Sequence, residues 1–133
     1  MKAKRKILIV DDNADVITTY QVVLERMGYT VATARDGNEC LQKIEQDKPD
    51  MVLLDVLLPG LSGSEVCKLI KETARTRDTP VVAITASLAA NTRQRMADVG
   101  ADEFLLKPID VSNLNRVIKR FLGSDPWLES NGT

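Results

Sequence analysis

The stretch Ile7-Leu-Ile-Val-Asp-Asp12 sets four apolar residues directly before two carboxylates. A short apolar run of this kind, bounded by charge, is typical of a strand buried on both faces. Three further runs have the same form, namely residues 51–54 before Asp55, residues 81–84 before Thr85 and residues 104–106 before Lys107. The repeated pattern predicts parallel strands that each present a polar side chain at the same edge of one sheet.

Segments with helical periodicity separate these strands. On the first of them the apolar face comprises Val16, Tyr20, Val23, Leu24 and Met27. Residues that begin or end helices flank the segments: Asp36 with Glu39 and Ser62 with Glu65 at capping-box spacing, Gly28 and Gly100 as stops, and Asp110 as an N-cap. Five alternating strand and helix units predict an α/β fold with a parallel sheet covered by helices on both faces.

The second strand candidate, Thr30-Val-Ala-Thr-Ala34, is the least apolar of the five. A half-exposed strand at the edge of a sheet has this composition, whereas the other runs suit the buried centre. The sequence therefore predicts a doubly wound, five-stranded (βα)5 sheet with strand order 2-1-3-4-5. In that order Asp11, Asp12, Asp55, Thr85 and Lys107 share the carboxyl ends of the strands, where open α/β sheets bind ligands.

Composition narrows the possible functions. The chain has 133 residues and a net charge of −1, from 18 basic and 19 acidic side chains, so no global basic field attracts nucleic acid or anionic membranes. The basic start is followed by only four apolar residues, too few for a signal peptide, and no stretch is long enough to span a membrane, so we expect a cytoplasmic protein. Cys40 and Cys67 fall in helical patterns and are expected to be buried thiols.

The five residues at the carboxyl ends of the strands, called the rim residues below, indicate phosphoryl-transfer chemistry with a divalent cation. Two carboxylates about 4 Å apart repel by ~4 kcal/mol at an effective dielectric constant near 20, so a third one needs a compensating charge. Mg²⁺, or Mn²⁺ in its place, supplies this charge and binds through oxygen ligands. Asp55 can then act as a nucleophile that forms an aspartyl phosphate, with Lys107 as a cation, Thr85 as a hydroxyl donor and Ala86 leaving room for the phosphoryl group.

Four motifs together resemble the receiver domains of two-component response regulators. They are Val10-Asp-Asp12, Leu54-Asp55 with Pro59 and Gly63, Thr85-Ala86, and Lys107-Pro108. They are spread over residues 6–122. The resemblance implies a flavodoxin-like receiver (phosphoacceptor) domain over residues 1–122. The composition of residues 123–133, which include Trp127, predicts a loop-like tail.

The resemblance also implies the role of each residue. Asp55 would accept a phosphoryl group from a sensor histidine kinase or a histidine phosphotransfer protein, since the chain itself has no histidine. Asp12, Asp55 and the backbone carbonyl of Leu57 would bind Mg²⁺, with Asp11 acting directly or through water. Lys107 would pair with Asp55 and then with the phosphoryl oxygens.

Two further positions would report phosphorylation. Thr85 would move towards the phosphoryl group, and Phe104 would rotate into the space released. The resemblance also implies a cis peptide bond between Lys107 and Pro108. Leu57 stands where many relatives carry a polar side chain, and our hypothesis is that it slows hydrolysis of the aspartyl phosphate.

The resemblance places the contact with a downstream protein on the fourth helix, fifth strand and fifth helix. The residues concerned are Arg93, Arg95, Phe104, Arg116, Lys119 and Arg120. A solvated helix face explains any one of the basic residues equally well. The sequence leaves open the oligomeric state, the kinase and target, and whether this is a stand-alone regulator or part of a longer protein.

As a receiver, the chain would catalyse only its own phosphoryl transfer and slow dephosphorylation. Two other functions compete with this interpretation. A Mg²⁺-dependent phosphatase of the haloacid dehalogenase type also uses an aspartate nucleophile, but it needs a second aspartate two residues after the first. Here Asn13 follows Asp11 at that spacing and Ala14 follows Asp12. A receiver-like scaffold that binds partners without phosphorylation has no need of the rim residues.

Overall fold

The structure is a computed structural model that describes residues 4–86 and 89–123. Five strands form one parallel sheet: β1 (Lys6–Val10), β2 (Thr30–Ala34), β3 (Met51–Asp55), β4 (Val81–Thr85) and β5 (Glu103–Leu106). Their order is β2-β1-β3-β4-β5, which confirms the predicted topology. Five helices connect or follow them: α1 (Ala14–Arg26), α2 (Gly37–Asp47), α3 (Gly63–Glu72), α4 (Ala90–Asp98) and α5 (Val111–Leu122).

Polar side chains fix where the helices begin. Asn13 caps α1 by accepting from the N–H groups of Asp15 and Val16, and Asp110 caps α5 by accepting from the Ser112 N–H. The reciprocal capping box predicted at Ser62 is present. Asp36 caps α2 through the Glu39 N–H, but among the described residues Glu39 does not return the bond, so the second predicted box is only half formed.

The core lies in two layers, one on each face of the sheet. Alternate residues of β1 point to opposite sides: Ile7 and Ile9 pack with α1 and α5, while Leu8 and Val10 pack with α2, α3 and α4. Strands β3 and β4 are buried along their whole length, but β2 is half exposed, as expected of an edge strand. The sheet therefore holds its carboxyl-end rim on a rigid, buried base.

The buried face of α1 differs from the predicted one at its start, where Ile17 takes the place of Val16. Ile17 and Leu24 are its buried side chains, and Tyr20, Val23 and Met27 pack partly buried against the same layer. The predicted face begins one residue early, at Val16, and so omits Ile17. Ile17, Tyr20 and Leu24 have the i, i+3 and i+7 spacing of a single helix face.

Both cysteines are free and fully buried, as predicted. Burial raises the pKa of the Cys40 thiol to about 12 and that of the Cys67 thiol to about 11, so both stay protonated and unreactive at neutral pH. Among the helices that the structure describes, none combines the length and the hydropathy needed to cross a bilayer. Trp127 lies outside the described residues.

Candidate functional site

Every strand contributes a polar side chain to the rim formed by the carboxyl ends of the sheet. These are Asp11 and Asp12 after β1, Arg35 after β2, Asp55 at the end of β3, Thr85 at the end of β4 and Lys107 after β5. The sequence predicted all of them except Arg35. The sequence does carry a signal for Arg35, because this residue directly follows the second apolar run. That run ends without a carboxylate or a hydroxyl, however, and so predicts only an edge strand.

Lys107 joins two of the carboxylates. Its Nζ lies 3.0 Å from Asp11 Oδ2 and 3.0 Å from Asp55 Oδ2. The pair with Asp55 was predicted, whereas the bond to Asp11 was not. The backbone N–H of Lys107 donates to the Thr85 carbonyl at 2.7 Å, and the peptide bond to Pro108 is cis, as the resemblance implies.

Burial and hydrogen bonding shift the pKa values of Asp55 and Lys107. Burial raises the pKa of the Asp55 carboxyl, against the opposing effects of Lys107 and of the Leu57 N–H, which donates to Asp55 Oδ1 at 3.0 Å. Burial alone would lower the pKa of Lys107, but its hydrogen bonds to Asp55 and Asp11 raise it above its ordinary value. Lys107 is therefore a permanent cation at neutral pH, next to the proposed nucleophile.

The three carboxylates converge on a common point. One oxygen from each of Asp11, Asp12 and Asp55 lies within 4.8 Å of the other two. Asp11 and Asp55 are buried, while Asp12 is exposed. Asp11 is also held by the Asn13 N–H, which donates to its Oδ1 at 2.9 Å. Three hard oxygen donors that converge, one of them on an exposed residue, fit Mg²⁺, which keeps several water ligands.

The loop from β3 to α3 is packed tightly against the strand end. The Gly63 N–H donates to the Val56 carbonyl, and a Cβ on Gly63 would lie 2.7 Å from Val56 Cα and 2.8 Å from the Asp55 carbonyl oxygen. Only glycine allows this approach. The Leu57 side chain is 75% exposed beside Asp55, and the role of its carbonyl as a metal ligand stays a prediction.

Thr85 and Ala86 lie on the opposite side of Asp55 from β1. Thr85 is buried, and Ala86 is exposed at the start of the loop to α4. A cavity of about 240 Å³ adjoins them, and its lining includes Leu57, Thr85 and Arg95. Phe104 is half buried on the neighbouring strand β5, where it pairs with Ala83.

The two arginines of α4 point to different surfaces. The guanidinium of Arg93 lies 5.9 Å from the centroid of the Phe104 ring, on the surface predicted to contact a target. Arg95, predicted on the same surface, lines the cavity beside Leu57 instead. The reason is geometric, because two positions along a helix correspond to a rotation of about 200°.

The remaining residues of the predicted contact surface lie on α5. Arg116, Lys119 and Arg120 are all exposed. Arg120 bonds Glu103 of β5 at 2.6 Å. We call Arg93, Phe104, Arg116, Lys119 and Arg120 the output surface below.

Comparison with known proteins identifies the family. A sequence profile of the response regulator receiver domain matches residues 7–119. The chain is 33% identical over 119 residues to the polar-differentiation response regulator DivK of Brucella anthropi, covering 90% of this chain and 97% of DivK. It is 40% identical over 118 residues to the transcriptional regulatory protein PhoP for alkaline phosphatase synthesis in Bacillus subtilis, covering 89% of this chain and 48% of PhoP.

The chain belongs to the response regulator receiver family, whose members are signalling proteins of two-component systems. It spans about half the length of PhoP and of other curated relatives that it matches. A receiver domain of a sensor histidine kinase from Pseudomonas aeruginosa has the same fold, with a TM-score of 0.85 and 30% identity, covering 92% of this chain and all of that chain. That structure has a magnesium ion coordinated in its active site cleft.

Proposed function

We propose that the chain is a phosphorylation-dependent switch in which Asp55 accepts a phosphoryl group from a phosphohistidine of a sensor histidine kinase or histidine phosphotransfer protein. The observation that carries this proposal is the position of Lys107 Nζ, 3.0 Å from both Asp55 and Asp11. It puts a cation beside a buried carboxylate nucleophile. The 133 residues contain no histidine, which is consistent with a phosphohistidine on a partner.

The acidic cluster is the proposed magnesium site. Asp11, Asp12, Asp55 and the Leu57 carbonyl would hold Mg²⁺, or Mn²⁺ in its place. When bound, the ion supplies positive charge that stabilises the transferring phosphoryl group. The convergence of three carboxylate oxygens within 4.8 Å supports this assignment.

In the proposed transfer, an Asp55 oxygen attacks phosphorus while the bond between phosphorus and the partner's histidine nitrogen breaks. The bonding electron pair leaves with that nitrogen, and Asp55 becomes an aspartyl phosphate. Lys107 gives up its bond to Asp55 and bonds a phosphoryl oxygen. Its second bond, to Asp11, keeps the ammonium in place during this exchange, so little reorganisation is needed as charge moves.

The signal then passes along the sheet. Thr85 donates its hydroxyl to the phosphoryl group, and Phe104 moves into the space that Thr85 releases. The two residues lie on adjacent strands, where Thr85 pairs with Leu106, two positions after Phe104. Because Arg93 lies over the Phe104 ring, a rotation of that ring changes the output surface, and a downstream protein that distinguishes the two arrangements reads the signal.

The unit that performs this reaction is residues 1–122, with residues 123–133 as a tail. In support, α5 ends at Leu122 and is the helix that completes the layer over β1 and β5.

Acetyl phosphate and Mg²⁺ test the proposal directly, with intact-mass analysis as the measurement. We expect wild type to gain the mass of one phosphoryl group, Asp55→Asn to gain none, and Asp78→Asn, which removes an exposed carboxylate from the loop before β4, to behave as wild type. Absence of an adduct with any donor would support a scaffold. Rapid turnover of small phosphate esters without an adduct would support a phosphatase.

A further inference from the structure

Arg35 lies at the rim but has no part in the reaction proposed above. Its Nε and Nη2 both donate to the backbone carbonyl of Asp12, at 3.2 and 2.9 Å. The edge strand β2 thus reaches across to the loop that carries an acidic residue of the cluster. We propose that Arg35 is a positioning residue that sets the affinity of the site for a divalent cation by fixing the backbone of Asp12.

The three carboxylates are restrained unequally. Asp11 is held by Lys107 and the Asn13 N–H, and Asp55 by Lys107 and the Leu57 N–H. Within residues 4–86 and 89–123, no donor binds the Asp12 carboxylate, which is exposed. The position of this carboxylate therefore depends on how firmly the backbone of Asp12 is held.

The neighbouring backbone is anchored on either side of Asp12. The Asp11 N–H donates to the Ala34 carbonyl at 3.1 Å, and the Asn13 side chain caps α1. The carbonyl of Asp12 takes part in neither anchor and accepts both bonds from Arg35. Two bonds from one planar guanidinium restrict the rotation of that peptide group, so the carboxylate loses less freedom when it binds a cation.

Charge alone predicts the opposite effect. A guanidinium near the cluster repels a divalent cation, so removal of Arg35 would strengthen binding if electrostatics dominated. Positioning predicts weaker binding instead, because residues that orient ligands typically contribute about ten- to a hundredfold to metal affinity. The direction of the change in Kd therefore distinguishes the two effects.

The test is the Kd for Mg²⁺ of the full chain, measured by isothermal titration calorimetry and from the dependence of Tm on Mg²⁺ at constant ionic strength. We expect Arg35→Ala to raise Kd about tenfold. Arg35→Lys keeps the charge but not the two-bond geometry, so its Kd should lie between that of wild type and that of Arg35→Ala. Arg26→Ala, which removes an exposed cation at the far end of α1, should leave Kd unchanged.

The positioning role of Arg35 rests on the proposed magnesium site, and the outcomes of the Kd measurements distinguish failure of the role from failure of the site. A wild-type chain without saturable Mg²⁺ binding overturns the site and the inference together. Wild-type binding with an unchanged or lower Kd in Arg35→Ala overturns the inference alone. If Arg35→Ala does not fold, Arg35→Lys carries the test, and a Kd equal to that of wild type overturns the role of the paired bonds.

Discussion

Asp12→Asn should make the metal-free protein more stable and the magnesium-loaded protein less stable than wild type. The reason is the crowding of three carboxylates whose oxygens lie within 4.8 Å of one another. Two unit charges at that distance repel by about 3.5 kcal/mol at an effective dielectric constant of 20 and by under about 1 kcal/mol in water. Asp12 is exposed and Lys107 offsets part of the repulsion, so the lower end applies.

We therefore expect a gain of about 1 kcal/mol in the free energy of unfolding without metal. For a chain of this size that corresponds to a rise in Tm of about 3–5 °C. In the presence of Mg²⁺, wild type should be more stable than Asp12→Asn. A ligand at a hundred times its Kd stabilises the fold by about 2.7 kcal/mol, and Asp12→Asn forfeits much of this because it lacks one of the carboxylates.

The assay is thermal unfolding followed by circular dichroism, in EDTA and in MgCl₂ with the ionic strength matched by NaCl. Glu25→Gln removes an exposed charge elsewhere on α1 and should give the same shift in both buffers. The prediction is a crossover, with the variant higher in EDTA and wild type higher in Mg²⁺. A variant that is less stable in EDTA, or that gains as much from Mg²⁺ as wild type, would refute the reasoning.

Three further predictions concern the same rim. Lys107→Met should lower the free energy of unfolding by about 2 kcal/mol at pH 7. The loss should be smaller at pH 4, because without Lys107 the pKa of the buried Asp55 carboxyl is raised further. A fold that contains a carboxyl with a raised pKa loses stability as pH rises through that pKa. Urea unfolding at both pH values checks this, and an equal deficit would contradict it. Gly63→Ala should lower stability by about 2 kcal/mol, since its Cβ would meet backbone atoms, whereas Gly60→Ala has open space and only a positive φ, worth about 1 kcal/mol. The reverse order in urea unfolding would show the close packing to be dispensable. Leu57→Asn should shorten the lifetime of the aspartyl phosphate severalfold, because an amide beside the nucleophile can orient the attacking water. Intact-mass time courses measure this lifetime, and Leu69→Asn, at an exposed leucine of α3, is the control. An unchanged lifetime in Leu57→Asn would disprove the hypothesis.

The strand order could be predicted because burial leaves a direct trace in composition. Runs such as residues 7–10 and 81–84 are apolar throughout because both faces of their strands are covered. The run at residues 30–34 contains two threonines, because β2 lies at an edge and is half exposed. Once the order is known, parallel strands bring their carboxyl ends together, so Asp55, Thr85 and Lys107 could be grouped without coordinates.

What the sequence did not predict depends on side-chain reach and helix rotation. Arg35 reaches from the end of β2 to the loop after the neighbouring strand β1 through a long, flexible side chain. Its target is a backbone carbonyl, and no residue pattern encodes that target. The separation of Arg93 from Arg95 depends on the rotation of α4 about its axis. The second hydrogen bond of Lys107, to Asp11, could not be predicted, because it depends on a distance that topology alone does not give.

The central claim is that position 55 carries the phosphoryl group. After incubation with acetyl phosphate, reduction with borohydride converts an aspartyl phosphate to homoserine, which tandem mass spectrometry locates in the chain. The account predicts homoserine at position 55 in the presence of Mg²⁺ and none in EDTA. Homoserine at another aspartate, or an unmodified position 55 with Mg²⁺ present, would contradict it.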